Sequence, residues 1–347
     1  MQKADNFRIE SFRGVPSPGD VIKKTPISER AEETVIKGRK NIENILAGKD
    51  NRIVLVVGPC SIHDLDSALE YAKKLNEIRK KVEDRMVVVM RTYFEKPRTT
   101  VGWKGYVYDP FLNGSYEFEE GVFRARKSLL EINEMGLPTG TEVLVPFVIE
   151  YYSDLISWSS IGARTAQSQT HRELASGLPM PIGFKNATDG NVEVALDGIS
   201  FAKTEQSFLK VNKDGKIGVA RTKGNPYCHI ILRGGTNGPN YSKSVVSEVK
   251  KLTEEADIDT GIFVDCSHAN SGKDFRKQGE VWESVWEQIS GGEISIKGVM
   301  LESHLFEGKQ SIKNDPKKLK YGISITDGCI GFAETEKLIM EVFERLQ

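Results

Sequence analysis

The chain has 347 residues, and its 48 Lys and Arg residues nearly balance its 49 Asp and Glu residues, for a formal net charge of -1. This balance argues against nucleic acid as the main partner, so a cluster of basic residues indicates a local site. The 4 cysteines are too widely spaced for a disulfide framework, no apolar run approaches the ~20 residues of a membrane helix, and the N-terminus lacks the apolar core of a signal peptide, which together predict a cytoplasmic protein without membrane partners.

The predicted elements begin with an N-terminal arm at residues 1–50. Residues 7–12 are expected to form one short strand. A helix is expected to begin after Ser28, which is a suitable N-cap, and to end at Gly48. Apolar residues recur at near-helical spacing between these two positions, which supports the helix.

From residue 51 onward, short apolar runs alternate with amphipathic stretches. Strands that are apolar on both faces and separated by helices indicate a parallel sheet, and eight such strands that close on themselves indicate a (β/α)8 TIM-type barrel. The catalytic barrel is therefore predicted to span residues 51–347. The predicted strands are residues 53–57, 86–90, 139–143, 160–163, 181–184, 229–232, 261–264 and 298–301.

One insertion interrupts this alternation at about residues 206–222. Two alternating runs flank the pair Asp214-Gly215, and an Asp-Gly pair between alternating runs predicts a β-hairpin. The hairpin is expected between the fifth helix and the sixth strand of the barrel.

The active sites of such barrels form at the C-terminal ends of the strands. Every predicted strand carries a charged or reactive side chain at its end or just after it: Cys60 and His63, Arg91, Glu142, Arg164, Lys185, Arg233, Asp265 and His268, and Glu302. Charged residues also follow strands by chance, because loops are polar. Eight such strand ends on one rim nevertheless predict a site.

Five of these residues or their neighbours are cations: Arg91, Lys96, Arg164, Lys185 and Arg233. Converging cations repel one another unless an anionic ligand lies among them, so they predict a small compound with a phosphate and a carboxylate. Separate surface ion pairs are the alternative. The loop after the second strand also carries Arg98 and Thr99, which suit a phosphate ester, and Pro97, which stiffens the loop.

A second set combines Cys60, His268, Glu302 and Asp327. One thiolate, one imidazole and two carboxylates indicate a site for one divalent metal ion. Taken singly, each residue is more often structural: a buried cysteine, an exposed glutamate or a capping aspartate. This mixture of soft and hard donors does not choose among Mn, Fe, Co, Zn and Cu.

His171, near Arg164, is either a further substrate contact or a packed residue.

Seven motifs resemble those of the type I 3-deoxy-D-arabino-heptulosonate 7-phosphate (DAHP) synthases, in the order of that family and from about residue 30 to the C-terminus. They are Gly-Pro-Cys-Ser-Ile-His-Asp at 58–64, Phe-Glu-Lys-Pro-Arg-Thr-Thr at 94–100, Gly-Ala-Arg-Thr at 162–165, Gly-Phe-Lys-Asn at 183–186, Ile-Leu-Arg-Gly-Gly at 231–235, Asp-Cys-Ser-His-Ala-Asn at 265–270 and Glu-Ser-His at 302–304.

The resemblance implies a transferase of the shikimate pathway that condenses phosphoenolpyruvate with erythrose 4-phosphate, giving DAHP and phosphate. It places the metal on Cys60, His268, Glu302 and Asp327. For this reaction the predicted catalytic residues are Lys96, Glu142 and His268: Lys96 is a candidate to protonate or stabilise the developing alkoxide, and Glu142 is the choice for positioning or activating water. The resemblance places phosphoenolpyruvate on Arg91, Lys96, Arg164, Lys185 and Arg233 and erythrose 4-phosphate on Arg98 and Thr99. The predicted substrate site also includes Pro97 and Asp265.

Three positions depart from the family pattern: Val145, Gln167 and Pro179. Two of them lie in a region that resembles the pocket where relatives bind an aromatic amino acid as feedback inhibitor. The departures leave the identity of an inhibitor open. Relatives are dimers or tetramers, and the resemblance implies a homodimer or homotetramer here, with the arm and the hairpin near regulatory contacts.

Two other functions are weighed against this one. A related synthase condenses phosphoenolpyruvate with arabinose 5-phosphate to give 3-deoxy-octulosonate 8-phosphate, but it carries a different loop in place of Lys-Pro-Arg-Thr-Thr at 96–100. A catalytically inactive barrel that senses an amino acid is the other alternative, and the complete set of predicted site residues speaks against it.

Overall fold

The computed structural model describes residues 8–258, 260–312 and 315–346, and most of this chain forms a barrel of alternating strands and helices. The strands are β1 (Ile53–Gly58), β2 (Met86–Arg91), β3 (Thr139–Val143), β4 (Trp158–Ile161), β5 (Ile182–Lys185), β6 (Ser207–Val211), β7 (Ile217–Arg221), β8 (Cys228–Leu232), β9 (Ile262–Asp265), β10 (Ile296–His304) and β11 (Ile330–Gly331). The helices are α1 (Pro18–Lys24), α2 (Glu29–Leu46), α3 (Leu65–Val82), α4 (Phe118–Glu134), α5 (Gln169–Ala175), α6 (Glu193–Lys203), α7 (Lys243–Glu255), α8 (Gln278–Ser290) and α9 (Phe332–Arg345).

Eight parallel strands close the barrel in the order β1-β2-β3-β4-β5-β8-β9-β10, with β10 paired to β1. This confirms the predicted (β/α)8 architecture. Alternate residues of one strand face opposite sides. In β1, Val54 and Val56 pack with residues of other strands in the barrel interior, whereas Leu55 and Val57 belong to the layer under the helices. This two-sided burial explains why the strands are apolar throughout.

The interior is filled by a stack of rings. Trp158 lies parallel to Phe263 with ring centres 5.9 Å apart, and His229 lies 4.3 Å from Phe263. Nε1 of Trp158 is 3.0 Å from Nε2 of His229, which gives the buried imidazole a partner. His229 is therefore a residue of the barrel core.

Helix α2 covers the N-terminal end of the barrel, where Ile42 and Ile45 pack on the interior cluster. The side chain of Ser28 accepts a hydrogen bond from the N–H of Ala31, and the helix ends shortly before Gly48. The predicted strand at residues 7–12 is wrong for residues 8–12, which are irregular and exposed; Phe7 lies outside the described residues. A strand needs a neighbour for its ladder hydrogen bonds, and these residues lie in solvent.

Two strands, β4 and β10, differ from the prediction by two residues or more at their boundaries, and the other barrel strands agree within one residue. β4 begins at Trp158 and ends at Ile161, before residues 162 and 163. The start of β4 was predicted too late because its serines are polar and do not resemble a buried strand. Ser159 is nevertheless buried, and its hydroxyl donates to the carbonyl of Thr141. β10 runs on to His304, three residues beyond the predicted end at 301.

The insertion forms a two-stranded antiparallel sheet of β6 and β7. Leu209 pairs with Val219 and Val211 with Ile217, and Gly215 in the turn has a φ of 77°, where glycine is favoured. Leu209, Ile217 and Val219 are 73%, 74% and 73% exposed. Across the described part of the chain, no helix combines the length and the apolarity required to cross a membrane.

Candidate active site

The C-terminal ends of the barrel strands surround a cavity of about 550 Å³. Most of the predicted site residues line it: Arg91, Lys96, Pro97, Arg98, Thr99, Glu142, Arg164, Lys185, Arg233, His268, Glu302 and Asp327. Cys60 and Asp265 are fully buried beneath its wall. The structure thus brings both predicted sets of residues together around one space.

A second cavity of about 350 Å³ lies at the opposite end of the barrel. Its charged residues are paired with one another, Arg52 with Asp50 at 2.6 Å and Arg85 with Asp84 at 3.9 Å. Because these charges satisfy each other, the rim cavity is the better candidate for a charged ligand.

Arg91 ends β2 and is 1% exposed. Its Nη2 donates to Oε1 of Glu302 at 3.1 Å, and its guanidinium carbon lies 4.1 Å from the centre of the Tyr93 ring. Gly58 permits this packing, because a Cβ there would lie 3.1 Å from the backbone nitrogen of Arg91. Nη1 of Arg91 has no hydrogen-bond partner within the described chain. A buried guanidinium with a free donor is suited to a phosphate or carboxylate oxygen.

Lys185 ends β5 and pairs with two buried acids. Its Nζ lies 3.4 Å from Oε2 of Glu142 and 3.7 Å from Oδ2 of Asp265. Burial alone would raise the pKa of Glu142, but Lys185 and Lys96 outweigh it and hold this pKa below its usual range. Burial also opposes ionisation of Asp265, whose pKa His268 and Lys185 nevertheless hold well below the usual range. Both acids are therefore carboxylates at neutral pH.

The loop after β2 is tied to itself and to the end of β4. The backbone N–H of Lys96 donates to the carbonyl of Lys104 at 2.9 Å, and Nε of Arg98 donates to the carbonyl of Trp103 at 2.7 Å. Nε of Arg164 donates to the hydroxyl of Thr99 at 3.0 Å. These bonds place the cations of the loop and of β4 on the same side of the cavity.

Cys60, Glu302 and Asp327 offer three ligand atoms that all lie within 4.8 Å of one another. Nζ of Lys96 lies 2.7 Å from Sγ of Cys60 and 3.3 Å from Oδ2 of Asp327. Burial and Glu302 raise the pKa of Cys60 to about 12, so the thiolate needs a strong cation to form. A divalent metal ion deprotonates a coordinating thiol, and the donor set therefore fits such an ion.

His268 lies beside this group with a φ of 58°, a strained value for a residue with a side chain. Its Nε2 is 4.0 Å from Oε1 of Glu302, and its Nδ1 is 3.0 Å from Oδ2 of Asp265 and 2.7 Å from the hydroxyl of Ser267. Histidines that bind metals donate their other ring N–H to a carboxylate. Asp265 is thus placed to orient His268. Its predicted contact with substrate stays a prediction, and these distances favour a role that acts through His268.

His171 is packed away from the cavity. Its Nδ1 lies 2.9 Å from the hydroxyl of Ser168 and its Nε2 lies 2.7 Å from the carbonyl oxygen of Leu144. Of the two alternatives in the sequence, the packed residue is the one that the structure favours.

Sequence reasoning missed two residues around the site. Tyr93 packs its ring against Arg91 and lies 5.9 Å from Nζ of Lys185. Glu95 is buried and accepts a 2.6 Å hydrogen bond from the hydroxyl of Tyr108; burial raises its pKa to about 7 although this bond lowers it. The sequence signals that could have found them are an acid within a basic loop and an aromatic residue between two cations.

Comparison with known proteins gives consistent matches over nearly the whole chain. A model described as the DAHP synthetase I family matches residues 24–340. The chain is 48% identical over 338 residues to the Phe-sensitive phospho-2-dehydro-3-deoxyheptonate aldolase of Escherichia coli K12, covering 97% of this chain and 96% of that one. It is 46% identical over 348 residues to the Tyr-sensitive enzyme of the same strain, covering 100% and 98%. A solved structure of the aldolase of Francisella tularensis SCHU S4 superposes with a TM-score of 0.94 at 46% identity, covering 97% and 98% of the two chains.

Proposed function

We propose that this chain, which belongs to the DAHP synthetase I family, is a 3-deoxy-7-phosphoheptulonate synthase whose active site is the rim cavity. It condenses phosphoenolpyruvate with D-erythrose 4-phosphate and water to give DAHP and phosphate, the first step of the shikimate pathway. The observation that carries the proposal is that a cationic set, of which Arg91 and Lys185 are buried, and a metal-type donor group face one cavity. Two anionic substrates and a Lewis acid need such an arrangement.

Phosphoenolpyruvate is assigned to the cations at the strand ends, which are Arg91, Lys96, Arg164, Lys185 and Arg233. Two of them, Arg91 and Lys185, are already paired with carboxylates, at 3.1 and 3.4 Å, and are therefore fixed in place before substrate arrives. Held cations orient the phosphate and carboxylate of the substrate and reduce the entropic cost of a reaction between two molecules.

Erythrose 4-phosphate is assigned to the loop with Pro97, Arg98 and Thr99, which borders the same cavity. The guanidinium of Arg98 and the hydroxyl of Thr99 suit its phosphate. Because Thr99 accepts a hydrogen bond from Arg164, the sites for the two substrates share a wall.

Cys60, His268, Glu302 and Asp327 would hold the divalent metal ion. When bound, the ion acts as a Lewis acid that polarises the aldehyde oxygen of erythrose 4-phosphate. Which metal this chain prefers is not specified by a donor set of one thiol, one imidazole and two carboxylates.

Lys96 and Glu142 are assigned to proton transfer. C3 of phosphoenolpyruvate forms the new bond to the aldehyde carbon, and the oxygen of the aldehyde gains negative charge. Nζ of Lys96 lies 2.7 Å from Sγ of Cys60, so its proton is available at the place where the alkoxide forms. Water then adds to C2 and phosphate leaves; Glu142, ionised beside Lys185, is assigned to orient that water.

The experiment that tests the proposal follows the loss of phosphoenolpyruvate with erythrose 4-phosphate present, first in EDTA and then after Mn²⁺ is restored. Loss of substrate with release of phosphate, only with metal present, is expected. A parallel assay with arabinose 5-phosphate is expected to be much slower. Faster turnover of the five-carbon sugar, or no turnover with any divalent metal, would contradict the assignment.

An aromatic amino acid is the proposed feedback inhibitor, because relatives carry the names Phe-sensitive, Tyr-sensitive and Trp-sensitive. The proposed region lies around Val145 and Pro179. Nearby, Glu150 is 5% exposed and pairs with Lys210 of the hairpin at 2.9 Å. Initial rates with each of the three amino acids identify the inhibitor; unchanged rates with all three would contradict this proposal.

A homodimer or homotetramer is the proposed assembly, with residues 1–50 as an arm added to a barrel of residues 51–347. The exposed apolar face of the hairpin supports it, since large aliphatic side chains that share one exposed face often mark an interface. Light scattering of the purified protein measures the number of subunits, and a monomer at micromolar concentration would contradict it.

A further inference from the structure

Three buried asparagines lie between the strand ends of the rim. Asn186 follows β5, Asn240 precedes α7 and Asn270 follows β9, and they are 0%, 8% and 5% exposed. Buried amides are costly unless their donors and acceptors are satisfied. Each of these side chains bonds to backbone groups next to the cationic set or to another of the three.

Asn186 and Asn240 hold the turn that follows β8. Oδ1 of Asn186 accepts hydrogen bonds from the N–H of Arg233 at 2.8 Å and from Nδ2 of Asn240 at 3.1 Å. Nδ2 of Asn186 donates to the carbonyl of Gly234 at 2.9 Å, and the N–H of Gly234 donates to Oδ1 of Asn240 at 2.7 Å. Only this orientation of both amides matches all four donors with acceptors.

Asn270 joins the turn to the neighbouring strand. Its Oδ1 accepts from the N–H of Asn240 at 2.8 Å. Its Nδ2 donates to the carbonyls of Leu232 at 3.1 Å and Asp265 at 2.9 Å, which end β8 and β9. The network therefore spans three adjacent strands of the barrel.

The backbone of Arg233 is held on both sides. Its N–H donates to Asn186, and its carbonyl accepts a hydrogen bond from the N–H of Ala269 at 3.2 Å, next to His268. The following residue, Gly234, has a φ of 71°, and a Cβ on it would lie 2.8 Å from the backbone of Ala269. The turn is thus pressed against the His268 segment, and its conformation suits glycine.

Such a scaffold is required because the cations of the rim repel one another. Burial lowers the pKa of Arg233 and the charge of Arg164 lowers it further, whereas Asp265 raises it. Before an anion binds, the carboxylate of Asp265 attracts the guanidinium of Arg233, and hydrogen bonds to the backbone hold the main chain of Arg233 against the repulsion from Arg164.

We propose that Asn240, with Asn186 and Asn270, positions Arg233 to receive phosphoenolpyruvate. This inference rests on the proposed function, in which Arg233 contacts that substrate. Asn240 is a positioning residue, because it reaches the cation only through the turn. Removing its amide leaves the N–H of Gly234 and one acceptor of Asn186 without partners, and frees Arg233 to move away from the cavity.

The test compares Asn240→Ala with Asn225→Ala. Asn225 is a matched control, because it is 5% exposed and its Nδ2 donates to the carbonyls of Ala175, Leu178 and Met180, at the N-terminal side of β8. Asn240→Ala is expected to raise the KM for phosphoenolpyruvate about tenfold, since small displacements of binding groups are costly, and to change the KM for erythrose 4-phosphate less than about twofold. Asn225→Ala is expected to lower the melting temperature to a similar extent without changing either KM.

A third variant separates failure of this inference from failure of the proposed function. If Arg233→Ala leaves the KM for phosphoenolpyruvate unchanged, the assignment of Arg233 to that substrate is wrong. If Arg233→Ala raises this KM while Asn240→Ala matches Asn225→Ala, the positioning role is wrong and the function stands. Should Asn240→Ala not fold, Asn240→Asp keeps the acceptor for Gly234 and loses the donor to Asn186. An unchanged KM in that variant would overturn the inference.

Discussion

The barrel rim buries charged side chains, whereas the β6–β7 hairpin exposes aliphatic ones. On the rim, the side chains of Arg91 and Lys185 are 1% and 4% exposed and are paired with carboxylates. On the hairpin, Leu209 and Val219 are each 73% exposed. Buried charge costs free energy even when paired, and exposed aliphatic surface leaves hydrophobic stabilisation unused. The rim buries charged side chains because its chemistry requires them. We infer that the hairpin exposes aliphatic side chains because they take part in assembly.

The largest effect on turnover is expected where the rim would hold its metal. Cys60→Ala and His268→Ala would each remove a proposed ligand, so turnover is expected to fall by more than ~1,000-fold, as loss of several kcal/mol of Lewis-acid stabilisation requires. Metal content by elemental analysis is expected to fall in parallel, with circular dichroism unchanged. Cys228→Ala is the control, since Cys228 is also buried, in β8. Full turnover in either variant would contradict the assignment of a metal site to the rim.

The next effect concerns the proton assigned to Lys96. Lys96→Ala is expected to lower kcat by at least ~100-fold, because general acid catalysis contributes that much, with a smaller change in KM. Steady-state kinetics with both substrates measure how the effect divides between kcat and KM. Lys309 borders the same cavity outside the assigned site, so Lys309→Ala is expected to retain kcat within about threefold of the unmodified enzyme. A change confined to KM in Lys96→Ala would show that Lys96 only binds substrate.

A third prediction concerns Glu95, a buried acid in the loop after β2. The pKa of Glu95 is raised from its ordinary value of 4.5 to about 7, chiefly by burial. The protonated form is therefore favoured in the folded protein, and its contribution to stability is present below pH 4.5 and is lost as the pH rises through 7.

The comparison is between the unmodified protein and Glu95→Gln, whose side chain stays neutral. The melting temperature of the variant minus that of the unmodified protein is expected to increase from pH 5 to pH 8. Glu119→Gln, in the first turn of α4, serves as the surface control. A difference that stays flat across this range for Glu95→Gln would show that the carboxylate ionises without penalty.

The barrel and most of its site were predictable, because both follow from strand ends. Arg91, Lys185 and Asp265 each end a strand, and parallel strands bring their C-terminal ends to one edge whatever the intervening helices are. Asp327 does not follow the predicted eighth strand directly, so strand ends alone do not predict it, and the family resemblance places the metal on it. Its ligand atom nevertheless lies within 4.8 Å of those of Cys60 and Glu302.

What escaped prediction depends on partners that are distant in the chain. Asn240 lies in a loop without periodicity, and its role emerges only when Asn186, 54 positions away, is seen to share its amide. The exposure of the hairpin could not be predicted for a similar reason. Alternation in sequence predicts a strand with one covered face, but it does not predict which part of the protein covers that face. The predicted strand fails at residues 8–12, which are exposed and pair with no strand of the described chain.

The smallest effect on turnover is expected at the hairpin, where assembly rather than chemistry should change. In the double variant Leu209→Ser with Val219→Ser, a cross-strand apolar pair becomes polar, so light scattering is expected to show fewer subunits, with kcat within about threefold at high protein concentration. Ile294→Ser is the matched control, because Ile294 is 74% exposed but lies outside the hairpin. If the hairpin variant assembles as the control does, its apolar face serves another partner. If it loses turnover as fully as Cys60→Ala, assembly and chemistry are not separable, and the rim depends on a neighbouring subunit.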